Sequence, residues 1–521
     1  MANSTFPFLS LLIFLPLAAG LGLFALPDGR FVRPWCLGAA MLELAAALPP
    51  LFLGKPAADM WLVERHEWIP SLHMHYLLGV DGVSAPLLPL TALLNVCVIA
   101  ASWNTIHTLP KLYFALLLCL ESATLGVFCA LDLGLFYLFW ELTLPPLYFL
   151  ISLWGTGPQR RHAATQYTLT MLAGGVPLLL GIVLLALDNA RETGMDAPAG
   201  LSFDYFTLLE APLPLAAQST VFLLLLLGFA VKAPLFPFHV WLPAVAMEGP
   251  VGVTALLTGL KLGLYGIIRF AVPLAPQAAQ HWSGLLSGLG VLGALYGALL
   301  ALRQSNLRRM LAFSSVSHVG LVLVGVAAFN IQGIQGAVFQ LFNFGIAAGG
   351  IFLLAGFLQH RLGSTDLASL GGVARSMPRL TSLLFVLGLA GVGVPGSNGF
   401  AAEHLIVVGA FKAHLGVGLA TLLAAILGAA YFLRFFRAAF LGPVTRRGVK
   451  EACDLRPREY CISATLAALA LAGGLFPQVL LDFSQKPLQA WVARLQSGHS
   501  PSLALATEIP PEPQAKPMPA F

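Results

Sequence analysis

The sequence predicts an all-α polytopic membrane protein of about fourteen transmembrane helices. Three observations carry that expectation. The composition is 58% hydrophobic and only 10% charged, where a soluble domain carries about 25% charged residues. Apolar runs of about 20 residues, the length that crosses a hydrocarbon core about 30 Å thick, recur along the chain. Lysine and arginine crowd into alternate connections between those runs, as they do in helices threaded back and forth through a bilayer.

The runs fall near 6–26, 33–53, 82–103, 112–131, 133–154, 164–187, 216–233, 250–272, 283–303, 308–328, 332–358, 380–411, 414–441 and 459–481. The first, Phe6 to Leu26, has no basic segment ahead of it, and Asp28 and Arg30 follow it without a clear small-residue cleavage site. It reads as a retained helix and not as a signal peptide. The seventh run ends at Lys232 and is interrupted by Pro234, Pro237 and Pro243, which cannot continue a helix. The 380–411 stretch is too long for one regular span and carries Gly391, Gly393, Pro395, Gly396 and Gly399, so it reads as a second broken helix. Interrupted helices in corresponding positions of two halves are the signature of inverted-repeat transporters, with the ion site near the breaks.

The orientation follows from the basic residues. Connections after odd-numbered runs hold Arg30, Arg33, Lys111, Arg160, Arg161, Arg303, Arg308, Arg309, Arg361, Arg375, Arg379, Arg446, Arg447, Lys450, Arg456 and Arg458. Those after even-numbered runs hold only Lys55, Arg65, Arg191 and Lys412. Lys486, Arg494 and Lys516 join the even side without reversing the bias. The odd connections are therefore expected in the cytoplasm, and both termini on the outer, periplasmic side of an inner membrane.

The same composition excludes other classes. The net charge of +5 lies in membrane connections, so no nucleic-acid partner is expected. Cys36, Cys97, Cys119, Cys129, Cys453 and Cys461 form no CxxC pair and no Cys/His cluster, so no iron–sulfur, haem or zinc site is expected.

Four ionisable residues stand inside apolar runs: Glu141, Lys232, Lys261 and Glu403. A charge at bilayer depth costs about 3 kcal/mol or more on insertion scales, and membrane proteins keep such residues on ion pathways. Glu141 lies in Leu135-Phe-Tyr-Leu-Phe-Trp-Glu-Leu-Thr-Leu-Pro-Pro, roughly 12 Å into its helix at 1.5 Å per residue. It reads as a proton acceptor, or as a carboxyl bonded to a neighbouring helix. Lys232 precedes two prolines. A lysine at a helix end can snorkel, but Pro234-Leu-Phe-Pro-Phe-His-Val-Trp-Leu-Pro continues apolar and offers no aqueous exit. Lys261 is roughly 15 Å into its span, close to the midplane, where snorkelling is hardest. Glu403 follows the second break, where unpaired backbone groups can orient charge.

His239 and His318 are further candidates, although a lone histidine in an apolar helix is often a bonded structural residue. Glu43, Glu121 and Glu248 lie near or within spans, and Glu121 is a candidate for a path feeding the line. Trp35, Trp68, Trp140 and Trp154 read as interfacial or packing residues.

Five segments together carry a family resemblance: Tyr76-Leu-Leu-Gly-Val-Asp-Gly-Val-Ser-Ala-Pro-Leu, Phe139-Trp-Glu-Leu, Phe229-Ala-Val-Lys-Ala-Pro, His239-Val-Trp-Leu-Pro and Phe313-Ser-Ser-Val-Ser-His-Val-Gly. Between about residues 76 and 440 the chain resembles the antiporter-like, proton-pumping membrane subunits of respiratory complex I. The resemblance implies fourteen core helices, two inverted five-helix repeats with helices 7 and 12 broken, and a central hydrophilic axis. The implied organisation is 1–110 for helices 1–3 and an outer loop, 111–275 and 276–441 for the repeats, 442–498 for a loop and helix 14, and 499–521 for a Pro-rich tail.

By the same resemblance, Glu141 and Lys232 form an ion pair that switches, Lys261 is the central relay, Glu403 exchanges protons with the outer side, and His318 matches a helix 10 histidine. The implied function is proton translocation within an NADH–quinone oxidoreductase. No catalytic site and no bound cofactor of its own are expected; the expected partners are the lipid bilayer, protons and other membrane-arm subunits.

The chain departs from the family at several positions. Gln340-Leu-Phe-Asn-Phe-Gly puts Phe344 where a relay histidine belongs, and the neighbouring Asn343 carries no net proton at ordinary pH. Trp241-Leu-Pro-Ala ends in Ala244 where an aspartate is usual. Ala246-Met-Glu-Gly-Pro matches a sister subunit type, and His404 replaces a phenylalanine beside Glu403. These departures keep an alternative open: a proton-conducting subunit of a non-redox complex, such as an inorganic-carbon uptake complex or a cation/proton antiporter. A purely structural membrane subunit with an interrupted path is a further alternative.

Overall fold

The computed structural model describes residues 6–497 except Asp28, 54–59, 195–197, Ala199 and 211–212. The expected tail at 499–521, and the charges at Asp28, Lys55 and Lys516, lie outside the described residues. Among the described residues, twelve helices are long and apolar enough to cross a membrane: α1 (Phe8–Ala25), α2 (Val32–Leu53), α3 (Leu87–Asn104), α4 (Pro110–Cys129), α5 (Leu133–Trp154), α6 (Arg160–Glu192), α7 (Leu215–Lys232), α8 (Val251–Leu274), α9 (Ser283–Arg303), α10 (Leu307–Ala327), α11 (Ile331–Leu362) and, after a broken segment, α13 (Leu415–Phe440). The broken segment is α12, in halves Pro378–Gly391 and Asn398–Ala413. Helix α14 (Pro457–Leu475) bends by 66° into α15 (Gln478–Ser497). The chain is a multi-pass membrane protein, and each of the fourteen expected spans meets a helical segment.

The expectation of a purely helical chain needs one correction. Trp61–Ile69 and Met74–Val80 form an antiparallel hairpin, β1 and β2. Polar and aromatic residues at extended spacing, with Pro70 at the turn, favour strands here. The segment runs outside the apolar periodicity that identifies spans, so it read only as a loop.

The helix breaks have local causes. Pro145 and Pro146 lack N–H donors, and α5 divides at Thr143. After α7 the chain resumes as a short helix at Trp241–Glu248. A further break was not expected. Helix α8 is interrupted at Leu260 (φ −104°, ψ 105°) and Lys261 (φ −95°, ψ 67°), with no proline near. Wide π turns follow at Ile267–Ala271 and Phe344–Ala348, in stretches that read as regular helix. Such turns recur at functional sites.

Two polar ends hold the bundle. At the hairpin end, Glu64 of β1 takes the backbone N–H groups of Leu9 at 2.5 Å and Ser10 at 3.1 Å. A carboxylate there satisfies orphan donors at the start of α1 and complements its dipole. Asp81, ahead of α3, accepts from the backbone N–H of Val83 and Ser84 (3.0 Å each) and pairs with Arg269 of α8 at 2.5 Å. Burial pushes the Asp81 carboxyl up, but Arg269 and the backbone donors outweigh it and leave it below the usual range. The Asp81 motif that carries the resemblance is thus a tie between α3 and α8.

At the other end, Arg308 is 1% exposed. It donates to Thr156 Oγ1, Gln359 Oε1 and the carbonyl of Gly249, tying α10 and α11 to the connections ahead of α6 and α8. Glu248 accepts from the backbone N–H of Gln159 at 2.8 Å and acts there as a clamp.

Candidate functional site

Four elements break near the centre of the bundle, and the expected charges gather at the breaks. Lys232 closes α7, where a helix C-terminus favours a cation. Its Nζ donates to the carbonyl of Trp140 at 2.9 Å and to Thr143 Oγ1 at 2.7 Å. It also lies 4.0 Å from the centre of the Trp140 ring, a cation–π contact of about 2 kcal/mol when desolvated. Trp140 therefore cradles the lysine, where the sequence pointed only to packing or an interface.

Glu141 does not join this set. It comes no nearer to Lys232 than the 4.0 Å that defines an ion pair, so the expected pair is open. The Trp140 carbonyl, just before the break at Thr143, faces Lys232; the Glu141 carboxyl is close enough for its charge to act on the lysine but does not bond it. A Cβ on Gly175 would stand 2.4 Å from Glu141 Oε1, so only glycine leaves room for the carboxyl. That oxygen has no hydrogen-bond partner among the described residues, and Glu141 borders a groove with Pro145, Tyr148 and Phe149.

A cavity of about 40 Å³ adjoins Lys232 and is lined also by Thr91, Asn95, Glu121, Tyr167, Leu260 and Leu262. A space of that size has room for about two or three waters. Its far wall, Leu260 and Leu262, flanks Lys261. Lys261 is 4% exposed and donates to Ser315 Oγ at 2.7 Å. Its Nζ lies 5.2 Å from the Phe344 ring centre.

Ser315 opens onto a second cavity of about 40 Å³, bordered by His318, Gln340, Asn343, Phe344 and Tyr431. Phe344 forms one wall of this cavity. It lies 6.2 Å from the His318 ring, and the cavity runs past it from Ser315 to His318.

His318 and Glu403 meet. His318 Nε2 lies 3.3 Å from Glu403 Oε1, and each residue is 7% exposed. His318 Nδ1 faces the carbonyl of Ser314 at 2.8 Å. That carbonyl can only accept, so Nδ1 carries hydrogen. Nε2 and the carboxyl then need one further proton between them to bond. Ser314 Oγ is 2.6 Å from Tyr431 OH, which braces the set from α13. Gly393 has φ +67°, and a Cβ there would stand 2.5 Å from Glu403 Oε2. The α12 break and its glycine therefore make the seat for Glu403.

His239 is placed elsewhere. It sits in an aromatic box, 5.2 Å from Tyr296 and 5.9 Å from Phe236, ring to ring, and borders neither cavity. His404 is exposed and stacks on Phe400 at 5.4 Å, away from the line. Thr143, Ser314, Ser315 and Tyr431 are members that sequence reasoning passed over. For three of them the signal was a hydroxyl within four residues of a charged or histidine position in an apolar run.

Comparisons with known proteins bear on the family and the fold. The family model described as NADH:quinone oxidoreductase/Mrp antiporter, TM, matches residues 130–428. NAD(P)H-quinone oxidoreductase chain 4 1 of Synechococcus sp. (strain JA-3-3Ab) is 37% identical across 100% of this chain and 98% of its own length. Among solved structures, a chain of respiratory complex I from Thermus thermophilus with bound NADH superposes with a TM-score of 0.83 at 32% identity, covering 94% of this chain and 99% of that one. A chain of the Mrp complex from Dietzia sp. DQ12-45-1b gives 0.80 at 23% identity, over 95% and 98%, a likeness of fold alone. On the family-model match and the full-length relative, the chain belongs to the NADH:quinone oxidoreductase/Mrp antiporter family of membrane subunits.

Proposed function

We propose that this chain is the chain 4-type, proton-translocating membrane subunit of an NAD(P)H–quinone oxidoreductase, and that protons move in the order Lys232, Lys261, His318, Glu403. One observation carries this reading: Lys232 borders one small buried cavity and His318 another, Lys261 stands between them with its amine on Ser315, and His318 meets Glu403. A second ammonium and an acid–histidine pair held in this order have no packing purpose that apolar residues would not serve better.

The chemistry follows from electrostatics. Lys232 here is held by neutral acceptors. A push from a neighbouring subunit that turns Glu141 toward it would close the pair. At an effective dielectric of about 20, unit charges about 4 Å apart interact by about 4 kcal/mol, roughly a thousandfold in proton affinity. Closing loads Lys232, and opening drives its proton toward Lys261. Lys261 passes it through Ser315 and the second cavity to His318. The proton held between His318 and Glu403 then leaves as the next arrives.

We infer that the driving redox groups reside in partner subunits, because the cysteines of this chain are dispersed. The hairpin end faces the outer side, and the Arg308 end the cytoplasm, on the distribution of basic residues.

The test is the intact complex from its native membrane. Its mass spectrum is expected to contain iron–sulfur and quinone-site subunits, and after reconstitution NAD(P)H oxidation is expected to acidify the vesicle lumen. Co-purification with a soluble zinc protein or with antiporter subunits alone would contradict the redox assignment.

A further inference from the structure

Two buried acids are unused by this axis. Glu43, on α2, is 0% exposed and Glu121, on α4, is 3% exposed. Asn95 of α3, 1% exposed, lies with Glu121 and donates through Nδ2 to Glu121 Oε2. Glu64 shows how this fold treats an acid that is only structural: its carboxylate is filled with donors from the start of α1. The α2–α4 seam differs. Among the described residues, Glu43 Oε1 and Oε2, Glu121 Oε1 and Asn95 Oδ1 have no hydrogen-bond partner. Four acceptor oxygens are therefore buried along this seam with one side-chain donor group, Asn95 Nδ2, among them. Leaving such atoms unpaired costs about 1–3 kcal/mol each. A carboxyl O–H is the donor these side chains can supply for themselves. The two acids are also near enough for their charges to act on one another.

The second observation is independent. Glu121 and Asn95 line the cavity that adjoins Lys232, so the seam opens onto the axis and onto no other described site.

We propose that Glu43 and Glu121 each hold a proton, that of Glu121 exchangeable, and act as a side store that loads Lys232 across this cavity. In the transfer, the O–H bond of Glu121 breaks, its proton joins the free amine of Lys232, and the new carboxylate is held by Asn95 Nδ2 and by the O–H of Glu43. Charge is conserved across the cavity, and no further reactant is required. Glu43, which does not border the cavity, is a positioning residue for that proton. This store rests on the proton-translocation reading given above.

The test is infrared difference spectroscopy between resting and turning-over intact complex in proteoliposomes, in H₂O and D₂O, with proton flux measured on the same preparations. Wild type is expected to show a protonated-carboxyl band that shifts in D₂O. Glu121→Gln is expected to remove it and slow proton flux about tenfold, Glu121→Asp to restore part of both, and Glu43→Gln to move the band and slow flux by less. Should Glu121→Gln fail to assemble, the Glu43→Gln band shift decides. A band unchanged in Glu43→Gln and in Glu121→Gln, or wild-type flux in Glu121→Gln, overturns the store. Lys261→Ala in the same assay separates the two claims. If it stops flux while Glu121→Gln pumps normally, only the store fails. If Lys261→Ala itself pumps normally, the axis fails.

Discussion

The two halves of the bundle hold the same kind of pair in opposite states. In the first, Glu141 of α5 and Lys232 of α7 are apart, and the lysine rests on Trp140 and Thr143. In the second, His318 of α10 and Glu403 of α12 are together at 3.3 Å. On the five-helix repeats that the sequence implies, fifth and seventh helices correspond to tenth and twelfth, and each half holds a broken helix. Both pairs also rest on a glycine, Gly175 under Glu141 and Gly393 under Glu403. On the proposed route the difference matters: with both pairs closed, protons would be held at both ends; with both open, no pair would hold a proton beside Glu403. Lys261 sits between them at a break of its own, its amine resting on Ser315 of the second half.

That contrast can be broken at several points. The largest effect is expected at the closed pair. Glu403→Gln removes the acceptor that shares the proton with His318, and proton flux should fall by about a hundredfold, the scale of losing a proton-transfer group. Near-normal flux measured in proteoliposomes would mean that the closed pair is only structural. At the open pair, Glu141→Gln should lower flux by less, because Glu141 touches the lysine only when driven. An equal or larger loss would show that the pair is closed for most of the cycle.

A smaller effect is expected at Thr143. Thr143→Val keeps the shape but removes a bond to Lys232 of about 1.5–3 kcal/mol, which frees the lysine toward Glu141. The steady-state rate should change by a few-fold and the lysine should become more reactive to an amine label; no change in labelling would argue against its holding role. Phe344→His is expected to raise flux at most modestly, since the cavity already passes beside the ring. A large gain would show that Phe344 blocks the line.

How much of this was legible in the sequence differs between the charges and what they touch. The breaks in α7 and α12 were readable because proline and clustered glycine act locally. Glu141, Lys232, Lys261 and Glu403 were readable because a charge in an apolar run stands out against its neighbours. The break in α8 at Lys261 was not, since no proline marks it and Gly259 and Gly263 are ordinary in membrane helices. The openness of the first pair was also out of reach: it depends on which way a carbonyl and a ring face after the chain bends at Thr143. His239 illustrates the converse, a histidine conspicuous in sequence that packs among Phe236 and Tyr296 away from the axis. The hairpin went unread because its residues carry no helical period.

The smallest effect on proton flux concerns the frame, where the change falls on stability instead. Asp81 is held below the usual carboxylate range in the folded state, so its tie to Arg269 contributes stability above the unfolded value, about pH 3.9, and loses it as pH falls through the folded one. Asp81→Asn leaves Arg269 buried without its partner, a change of about 3–5 kcal/mol when such a pair is broken. Thermal inactivation in detergent should therefore separate variant from wild type at pH 7, and the gap should narrow at the acid end. A gap that does not depend on pH would remove the electrostatic account of this tie while leaving the proton axis untouched.

The central claim is that protons cross from the open half to the closed half through Lys261. Reconstituting the intact complex with Lys261→Ala, and measuring quinone reduction and lumen acidification side by side, tests it most directly. The account predicts an assembled complex that still reduces quinone while the share of proton movement due to this subunit disappears; acidification at the wild-type ratio of protons to electrons would contradict it.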